Sequence, residues 1–335
     1  MGEASYLARP IANRTAPILT YLLRRLAMLV LSLFIAAVIL FILLRLLPGD
    51  PANALLGVGA TEEQIAAARA QLGSDQPLPV QFLTFLGNLA RLDLGQSFVS
   101  KAGVLAEIGN RMSVTAPLTI LGFLLAILIA VPLGIIAAVR ADRWYGAAIS
   151  VVSQLGVAIP VFWLGILIVT VFAINLRLFP SGGFPLKGWS NFGEAATAMV
   201  LPVLTVALVI AASLIRYVRA ATLDVIGSDF IRTARALGSS FPEALVRHGL
   251  RNGAVPVISI LGIELATTFL GAVVVEKVYA LPGLGSMLLL AIQQRDYPNI
   301  QGVLFISTLL VLLIGFAADL LQRLVDPRLR GRSST

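Results

Sequence analysis

Long apolar stretches alternate with short polar segments along the 335 residues of this chain. Six stretches are long enough to cross a bilayer, because a membrane-spanning helix needs about 20 apolar residues. The pattern therefore predicts an all-α integral membrane protein with about six transmembrane helices. The predicted spans are Leu26–Leu47, Val114–Val139, Ala147–Ile174, Thr197–Ile215, Ala254–Val275 and Gly302–Leu324.

The composition supports this interpretation and narrows the chemistry. Hydrophobic residues make up 58% of the chain and charged residues 13%, against about 45–50% and about 25% in soluble domains. A soluble fold of this length could not bury the excess. The chain has no Cys and a single His, His248. Disulfides and thiolate metal sites are therefore excluded, and no metal site is expected.

The net charge of +8 is distributed unevenly over the polar segments. Sixteen Lys and Arg residues fall in the two termini and the even-numbered loops, and nine fall in the other loops, which include the longest one. Because Lys and Arg accumulate on the cytoplasmic side, both termini and loop 216–253 are expected in the cytoplasm of a multi-pass protein of the cell (inner or plasma) membrane. The charge thus indicates topology, not nucleic-acid binding, and contacts with anionic membrane lipid stay open.

Four regions are predicted along the chain. Residues 1–20 form a cytoplasmic tail, and residues 21–112 contain the first span and a loop on the outer face. Residues 113–326 form the transmembrane core, with the charged loop 216–253 inside it, and residues 327–335 form a second cytoplasmic tail.

The loop after the first span is predicted to be helical. Pro48-Gly49-Asp50-Pro51 ends the span, because prolines and glycine do not continue a helix. Thr61-Glu62-Glu63-Gln64 has the form of a capping box and starts a helix that ends at Gly73. A second, amphipathic helix is predicted over Val80–Leu92. This cap either packs on the outer helix ends or docks a partner. Its apolar stripe comprises Phe82, Phe85, Leu86 and Leu89.

The second span carries a small residue at every fourth position. Such a flat face lets another helix backbone approach closely, either within the chain or from another subunit. The residues are Gly122, Ala126, Ala130, Gly134 and Ala138.

An arginine-rich insert separates the fourth and fifth apolar stretches. Ser228 or Asp229 can cap a short helix that runs to Leu237, and Gly238 suits the left-handed residue after its end. Ser240-Phe241-Pro242-Glu243 begins a second helix, which is expected to run to Arg251 and end at Asn252-Gly253. An apolar stripe on the first helix needs cover, from the chain's own helix ends or from a soluble partner. It comprises Phe230, Ala234 and Leu237.

The insert resembles the coupling loop of type I ABC-importer permeases. Within that family, Arg232 to Gly238 (R-T-A-R-A-L-G) and Arg247 to Pro256 (R-H-G-L-R-N-G-A-V-P) resemble the peptide-transporter branch. The chain departs from the family pattern at Arg232, where Glu is usual, and at Leu237, where a basic residue is usual. Four further motifs of the same branch lie at 45–51 (R-L-L-P-G-D-P), 275–285 (V-E-K-V-Y-A-L-P-G-L-G), 295–298 (R-D-Y-P) and 326–330 (D-P-R-L-R).

The P-G-D-P motif and the long outer loop resemble the B-type subunit of the dipeptide and oligopeptide class. The resemblance implies a type I importer permease fold with an extracytoplasmic helical loop after the first helix. It also implies that the chain forms half of a peptide path and couples to ATPases through the insert. The implied coupling residues are Asp229, Phe230, Arg232, Thr233, Ala234, Arg235, Leu237, Gly238, Arg247 and His248.

The resemblance also implies several partners. These are a second homologous permease, two ATPase subunits or one fused pair, and an extracytoplasmic substrate-binding protein that delivers peptide. The chain contains no G-x-x-x-x-G-K-[ST] loop for nucleotide phosphates. We therefore expect no cofactor and no catalysis in this chain, with ATP and Mg²⁺ bound by the partner subunits.

Glu264 stands in the middle of the fifth apolar stretch. A charge there costs about 2.5–3.5 kcal/mol on the insertion scale, so it should face a cavity or a partner. It either lines the substrate path or is a hydrogen-bonded structural residue between helices. Thr267 and Thr268 lie one turn on, and Ser153 and Gln154 in the third span are further candidates. Ser and Thr hydroxyls also bond their own helix backbone.

The turn after the fifth span is a candidate outer gate or receptor contact, and a structural re-entrant turn is the alternative. Its glycines provide the flexibility that such a turn requires. Asp319, near the end of the last span, is expected to pair with an Arg such as Arg323. The candidate residues of the turn are Glu276, Lys277, Pro282, Gly283 and Gly285.

Two other functions are alternatives to a permease. An ion-gradient-driven secondary transporter would use Glu264 as its proton carrier, and it predicts inverted repeats and several intramembrane charges. An intramembrane enzyme needs a nucleophile with a base inside the spans. Neither pattern is evident in the sequence.

Overall fold

The computed structural model describes residues 16–46, 51–56 and 59–325, and this part of the chain is almost entirely helical. Short π-helical segments follow α7 and α10, at Val169–Asn175 and Leu245–Gly249. In chain order the α-helices are α1 (Ala16–Leu46), α2 (Pro51–Leu56), α3 (Glu62–Leu72), α4 (Leu78–Ala90), α5 (Val104–Val139), α6 (Trp144–Ala158), α7 (Val161–Ile168), α8 (Phe192–Ile226), α9 (Asp229–Ala236), α10 (Phe241–Ala244), α11 (Leu250–Val278), α12 (Leu284–Gln294) and α13 (Tyr297–Val325).

Five of the described helices are long and apolar enough to cross a membrane, and there are six spans if one bent helix pair is counted as a single span. This confirms the predicted all-α membrane fold. The predicted third span, Ala147–Ile174, is divided into two helices and a π-helical end. The chain bends there by 107° between α6 and α7, because Ile159 is extended and Pro160 has no N–H to continue the helix.

The other spans extend beyond the predicted limits. Helix α5 begins at Val104 rather than Val114, and α13 begins at Tyr297 rather than Gly302. Helix α8 runs from Phe192 to Ile226 and so includes polar turns at both ends. Hydropathy marks only the apolar part of a helix, whereas backbone hydrogen bonding continues into the polar turns.

Helices α5 and α8 pack face to face through the small residues of α5. The five predicted positions are all buried. A Cβ atom on Gly122 would lie 2.5 Å from Val206 Cγ1, and one on Gly134 would lie 2.7 Å from Val218 Cβ. The glycine that is later in α5 faces the valine that is later in α8, so the two helices run parallel. The small-residue face therefore serves packing within the chain.

The cap contains both predicted helices. The Thr61 capping box is formed, and α3 ends at Gly73 with φ of 64°. On α4, Phe85 and Leu89 belong to a buried apolar cluster that includes residues of α1, α12 and α13, and Phe82 contacts Phe41 of α1 with ring centroids 5.2 Å apart. The cap thus packs on the helix ends. Residues 48–50 of the P-G-D-P motif lie outside the described residues, between α1 and α2.

The insert begins as predicted but ends differently. Helix α9 starts after Ser228, and Gly238 has φ of 98°. The Ser240 side chain caps α10 by accepting from the Glu243 N–H. The predicted helix end at Asn252-Gly253 is wrong, because α10, a π turn and α11 run on without a break. Gly253 instead permits a close approach, since its Cβ would lie 3.2 Å from Val225 of α8.

Helices α1 and α13 are joined near their polar ends. Asp319 pairs with Arg25 at 2.7 Å, a partner that spacing along α13 does not suggest. The Arg323 guanidinium lies 3.7 Å from the centroid of the Tyr21 ring. The contacts of Asp319 therefore hold the first span against the last.

Candidate functional site

The insert is seated on the ends of the long helices by a small apolar cluster. Ile231 of α9 is 2% exposed and packs with Val225 of α8 and with Ala244 and Leu245. Gly249 allows the close packing of this cluster, because a Cβ atom at that position would lie 2.8 Å from Val225 Cγ1. The sequence interpretation missed Ile231, although its spacing of three residues from Ala234 indicates a shared helix face.

The predicted apolar stripe of α9 is divided between the core and the surface. Ala234 is half-buried against the cluster, whereas Phe230 is 39% and Leu237 is 83% exposed. Phe230 and Leu237 are seven residues apart, about two helical turns, so they lie on the same side of α9. Exposed apolar residues grouped on one surface mark interaction sites. The insert therefore presents Phe230 and Leu237 outward while Ile231 holds it in place.

The polar residues of the insert are exposed and locally ordered. Arg232 and Asp229 form an exposed ion pair at 3.5 Å, and Thr233 Oγ1 donates to the Asp229 carbonyl at 3.0 Å. The Arg235 guanidinium lies 5.9 Å from the Phe241 ring centroid. These contacts stiffen α9 and leave its charges available on the surface. Two further exposed residues, on the following π turn, are Arg247 and His248.

A cavity of about 240 Å³ lies between α6, α7, α8 and α11. Glu264, Thr267 and Thr268 all line it. Glu264 Oε1 accepts a hydrogen bond from Ser213 Oγ of α8 at 2.7 Å, and Ser213 was not among the predicted residues. Apart from these polar groups the lining is apolar, so the cavity places a carboxylate and hydroxyl groups among hydrophobic side chains.

The Thr and Ser hydroxyl groups predicted for this region donate to backbone carbonyl groups of their own helices. Thr267 and Thr268 both donate to the Glu264 carbonyl, at 3.0 and 2.5 Å. Ser153 is buried and donates to the Ser150 carbonyl, while Gln154 is exposed on α6. The structure thus gathers Glu264 with the two threonines, and it places Ser153 and Gln154 outside the cavity lining.

Glu276, near the end of α11, accepts hydrogen bonds from the turn that follows the helix. Its side chain is fully buried and accepts from Thr115 Oγ1 of α5 at 2.5 Å. It also accepts from the backbone N–H groups of Gly285 and Ser286, at 2.8 and 3.1 Å. A Cβ on Gly283 would lie 2.1 Å from Glu276 Oε1, so the turn requires glycine there.

The remaining predicted residues of this turn differ in exposure. Lys277 is exposed, Pro282 is half-buried and Gly285 is buried. A Cβ on Gly285 would lie 2.4 Å from Val273 Cγ2. The contacts of the turn are those of a packed structural element that joins α5, α11 and α12. Thr115 was not predicted, because it lies far from Glu276 in sequence.

Asp296 fastens the cap to the start of α13. The residue is 1% exposed, and its carboxylate accepts from Ser97 Oγ at 2.5 Å and from the Phe98 N–H at 3.1 Å. Asn299 Nδ2 donates both to Asp296 and to Glu107 of α5. The cap is therefore attached to the membrane core by hydrogen bonds as well as by apolar packing.

Comparison with known proteins identifies the family. The model of the binding-protein-dependent transport system inner membrane component matches residues 130–331, and the model of its N-terminal membrane region matches residues 18–119. The glutathione transport system permease protein GsiC of Escherichia coli (strain K12) is 37% identical over 312 residues, which are 93% of this chain and 99% of that protein. GsiC of Salmonella choleraesuis (strain SC-B67) has the same identity and coverage.

Solved structures share the fold. A structure of the inward-facing MetNI methionine ABC transporter aligns with a TM-score of 0.55 and 19% identity, covering 66% of this chain and 97% of that chain. A second crystal form of it aligns with a TM-score of 0.51 and 20% identity, covering 66% and 96%. The comparisons give no support to the secondary-transporter alternative. This multi-pass membrane chain belongs to the family of binding-protein-dependent transport system inner membrane components, the permease subunits of ABC importers.

Proposed function

We propose that this chain forms half of the translocation path of an ATP-driven peptide importer and is driven through residues 229–251. The observation that carries the proposal is the division of α9 between a buried anchor and exposed contacts. Ile231 holds the helix against α8, and Phe230 and Leu237 face outward. A separate ATPase subunit is the partner that would cover them.

Movement of the insert would reach the path through continuous helix. Because α10 passes into α11 without a break, a displacement of the insert would be carried along α11 to Glu264. Val225 at the end of α8 also contacts the insert, and Ser213 on the same helix donates to Glu264. Closure of an ATPase dimer would thus move both helices that hold Glu264, which is a rigid-body form of alternating access.

Short peptides are the proposed cargo. The most similar relatives reported above are named for glutathione transport, and glutathione is itself a small peptide. The Glu264 carboxylate and Ser213 hydroxyl could attract a peptide ammonium or amide group as it passes. The otherwise apolar cavity would hold that group weakly, which suits a path that must release its cargo.

The proposed assembly has the division of labour of the family. A second permease would complete the path, and an extracytoplasmic binding protein would deliver the peptide. ATP and Mg²⁺ would be bound by two ATPase subunits or one fused pair, while this chain is proposed to hold no cofactor and to catalyse no reaction. In this proposal the insert and both termini are cytoplasmic, because Lys and Arg accumulate on the cytoplasmic side and the termini and even-numbered loops carry more of them than the other loops.

The test compares purified importer complexes that carry Phe230→Asp with Leu237→Asp and the wild type. We expect the double variant to lose the ATPase subunits during purification and to lose ATP-dependent peptide uptake in proteoliposomes. Leu83→Asp is the control, because Leu83 is similarly exposed but lies on the cap. Retention of the ATPases and normal uptake in the double variant would refute the proposal.

A further inference from the structure

A polar pouch of about 750 Å³ lies beneath the cap, on the opposite side of the core from the insert. Its walls come from the end of α1, from α3 and α4, from segment 93–101 and from the start of α13. The volume is within the range of about 300–1,000 Å³ that is common for ligand sites. Six of the residues that line it carry carboxamide side chains: Gln71, Gln76, Gln81, Asn88, Gln96 and Gln301.

These carboxamides match the hydrogen-bonding groups of a polypeptide backbone. Each one offers both a donor and an acceptor, as each peptide unit does. Gln81 is held in place, since its Oε1 accepts from Arg45 and its Nε2 donates to the Ser74 carbonyl at 3.2 Å. Arg45 and Lys101 contribute two positive charges against the single carboxylate of Asp93. The pouch therefore suits an extended segment that carries a carboxylate.

The pouch and the cavity at Glu264 have separate linings among the described residues. Its floor includes Phe85 and Leu94, which belong to a buried apolar cluster with Met287 and Val303. Within the described residues, no side chain lines both spaces. This separation favours a docked partner over a peptide in transit as the occupant.

Helix α13 connects the pouch to α11, the helix that bears Glu264. Tyr297 and Gln301 of α13 line the pouch, and Asp296 next to them holds Ser97. Helix α13 in turn packs closely on α11, where a Cβ on Gly262 would lie 2.2 Å from Ala318 Cβ. An occupant of the pouch would thus touch the helix that supports the substrate path.

We propose that the pouch receives an extended, carboxylate-bearing surface segment of the extracytoplasmic binding protein that delivers the cargo. This assignment rests on the proposed function, because it requires the cap to lie outside the cell and a binding protein to dock there. The carboxamides would bond the backbone of the segment, and Arg45 and Lys101 would bind its carboxylate.

The experiment uses the whole importer in lipid nanodiscs and its purified binding protein, which carries a fluorophore. Thr84→Trp fills the pouch from an exposed position on α4. Leu83→Trp is the matched control, since Leu83 is the adjacent residue on the same helix, is exposed and lies outside the pouch lining. We expect Thr84→Trp to weaken binding at least tenfold and to abolish the ATPase stimulation that the loaded binding protein causes. The control should bind like the wild type, and basal ATPase activity should stay unchanged in both variants.

A second variant tests the charge. Lys101→Glu should weaken binding at low salt by about tenfold and reduce its dependence on ionic strength, whereas Lys187→Glu, at a position outside the pouch lining, should not.

Equal affinities for Thr84→Trp and Leu83→Trp, with normal stimulation of the wild type, would overturn the pouch assignment alone. Protection of the pouch by free peptide without the binding protein would overturn it too. A wild-type complex that the loaded binding protein neither binds nor stimulates would overturn the proposed function as well.

Discussion

Replacing Ile231 by Ala tests whether the buried anchor of α9 couples the insert to the membrane helices. The side chain is 2% exposed and packs in a cluster whose other buried members are Val225, Ala244 and Leu245. Truncating a buried Ile to Ala costs about 2–5 kcal/mol. The cluster is small and can relax, so about 2–4 kcal/mol is expected. Because about 1.4 kcal/mol corresponds to a factor of ten, the locally opened state should become about 30- to 700-fold more populated.

Hydrogen exchange of the assembled importer measures this opening directly. Amide protection over residues 229–237 should fall by that factor in Ile231→Ala, while protection in the middle of α5 and α8 stays as in the wild type. Stimulated ATP hydrolysis and peptide uptake should become uncoupled, since the insert would move without moving α11. Leu83→Ala is the control, because Leu83 is 68% exposed on the cap and its truncation leaves the anchor and the ATPase contacts intact. Unchanged exchange in Ile231→Ala would refute the reasoning.

Two further substitutions address the membrane core. Glu264→Leu should impair peptide uptake while assembly and ATPase binding stay intact, because it removes the carboxylate from the cavity and leaves Ser213 without that acceptor; uptake at the wild-type rate in proteoliposomes would contradict a role in the path. Thr115→Val should lower the unfolding free energy by about 1–3 kcal/mol, because Thr115 donates to Glu276 and accepts from the Leu284 N–H. Thr115→Ser keeps the hydroxyl and should unfold close to the wild-type temperature; equal melting of the Val and Ser variants in detergent would contradict the assigned hydrogen bonds.

Local features of the chain were predictable because their causes are close together in sequence. The Thr61 capping box needs only residues three apart, and Gly73 and Gly238 end their helices because glycine accepts positive φ at no steric cost. The five small residues of α5 predicted a close helix contact, because their four-residue spacing within one helix is enough to create a flat face. Asn252-Gly253 was misinterpreted as a helix end, because a glycine also serves where two helices approach closely.

The candidate site was predictable only in part. An ionisable residue in an apolar stretch is conspicuous, so Glu264 could be found, and the helix period placed Thr267 and Thr268 near it. Ser213 could not be found, because a serine in a membrane helix is unremarkable until its neighbour is known. On α9, the pattern identified an apolar face but could not show that Ile231 would be buried and Leu237 exposed, since that depends on how the helix sits on α8.

Apolar runs and local capping signals were sufficient for the membrane class, the helical content, the positions of the spans and the insert, because a helix satisfies its own backbone in lipid whatever surrounds it. The partner of each buried polar group was decided by the packing of helices that are distant along the chain. Glu276 meets Thr115 across 161 residues, and Asp296 meets Ser97 across 199. Such pairs depend on helix orientation and register, which arise only when all the helices pack together.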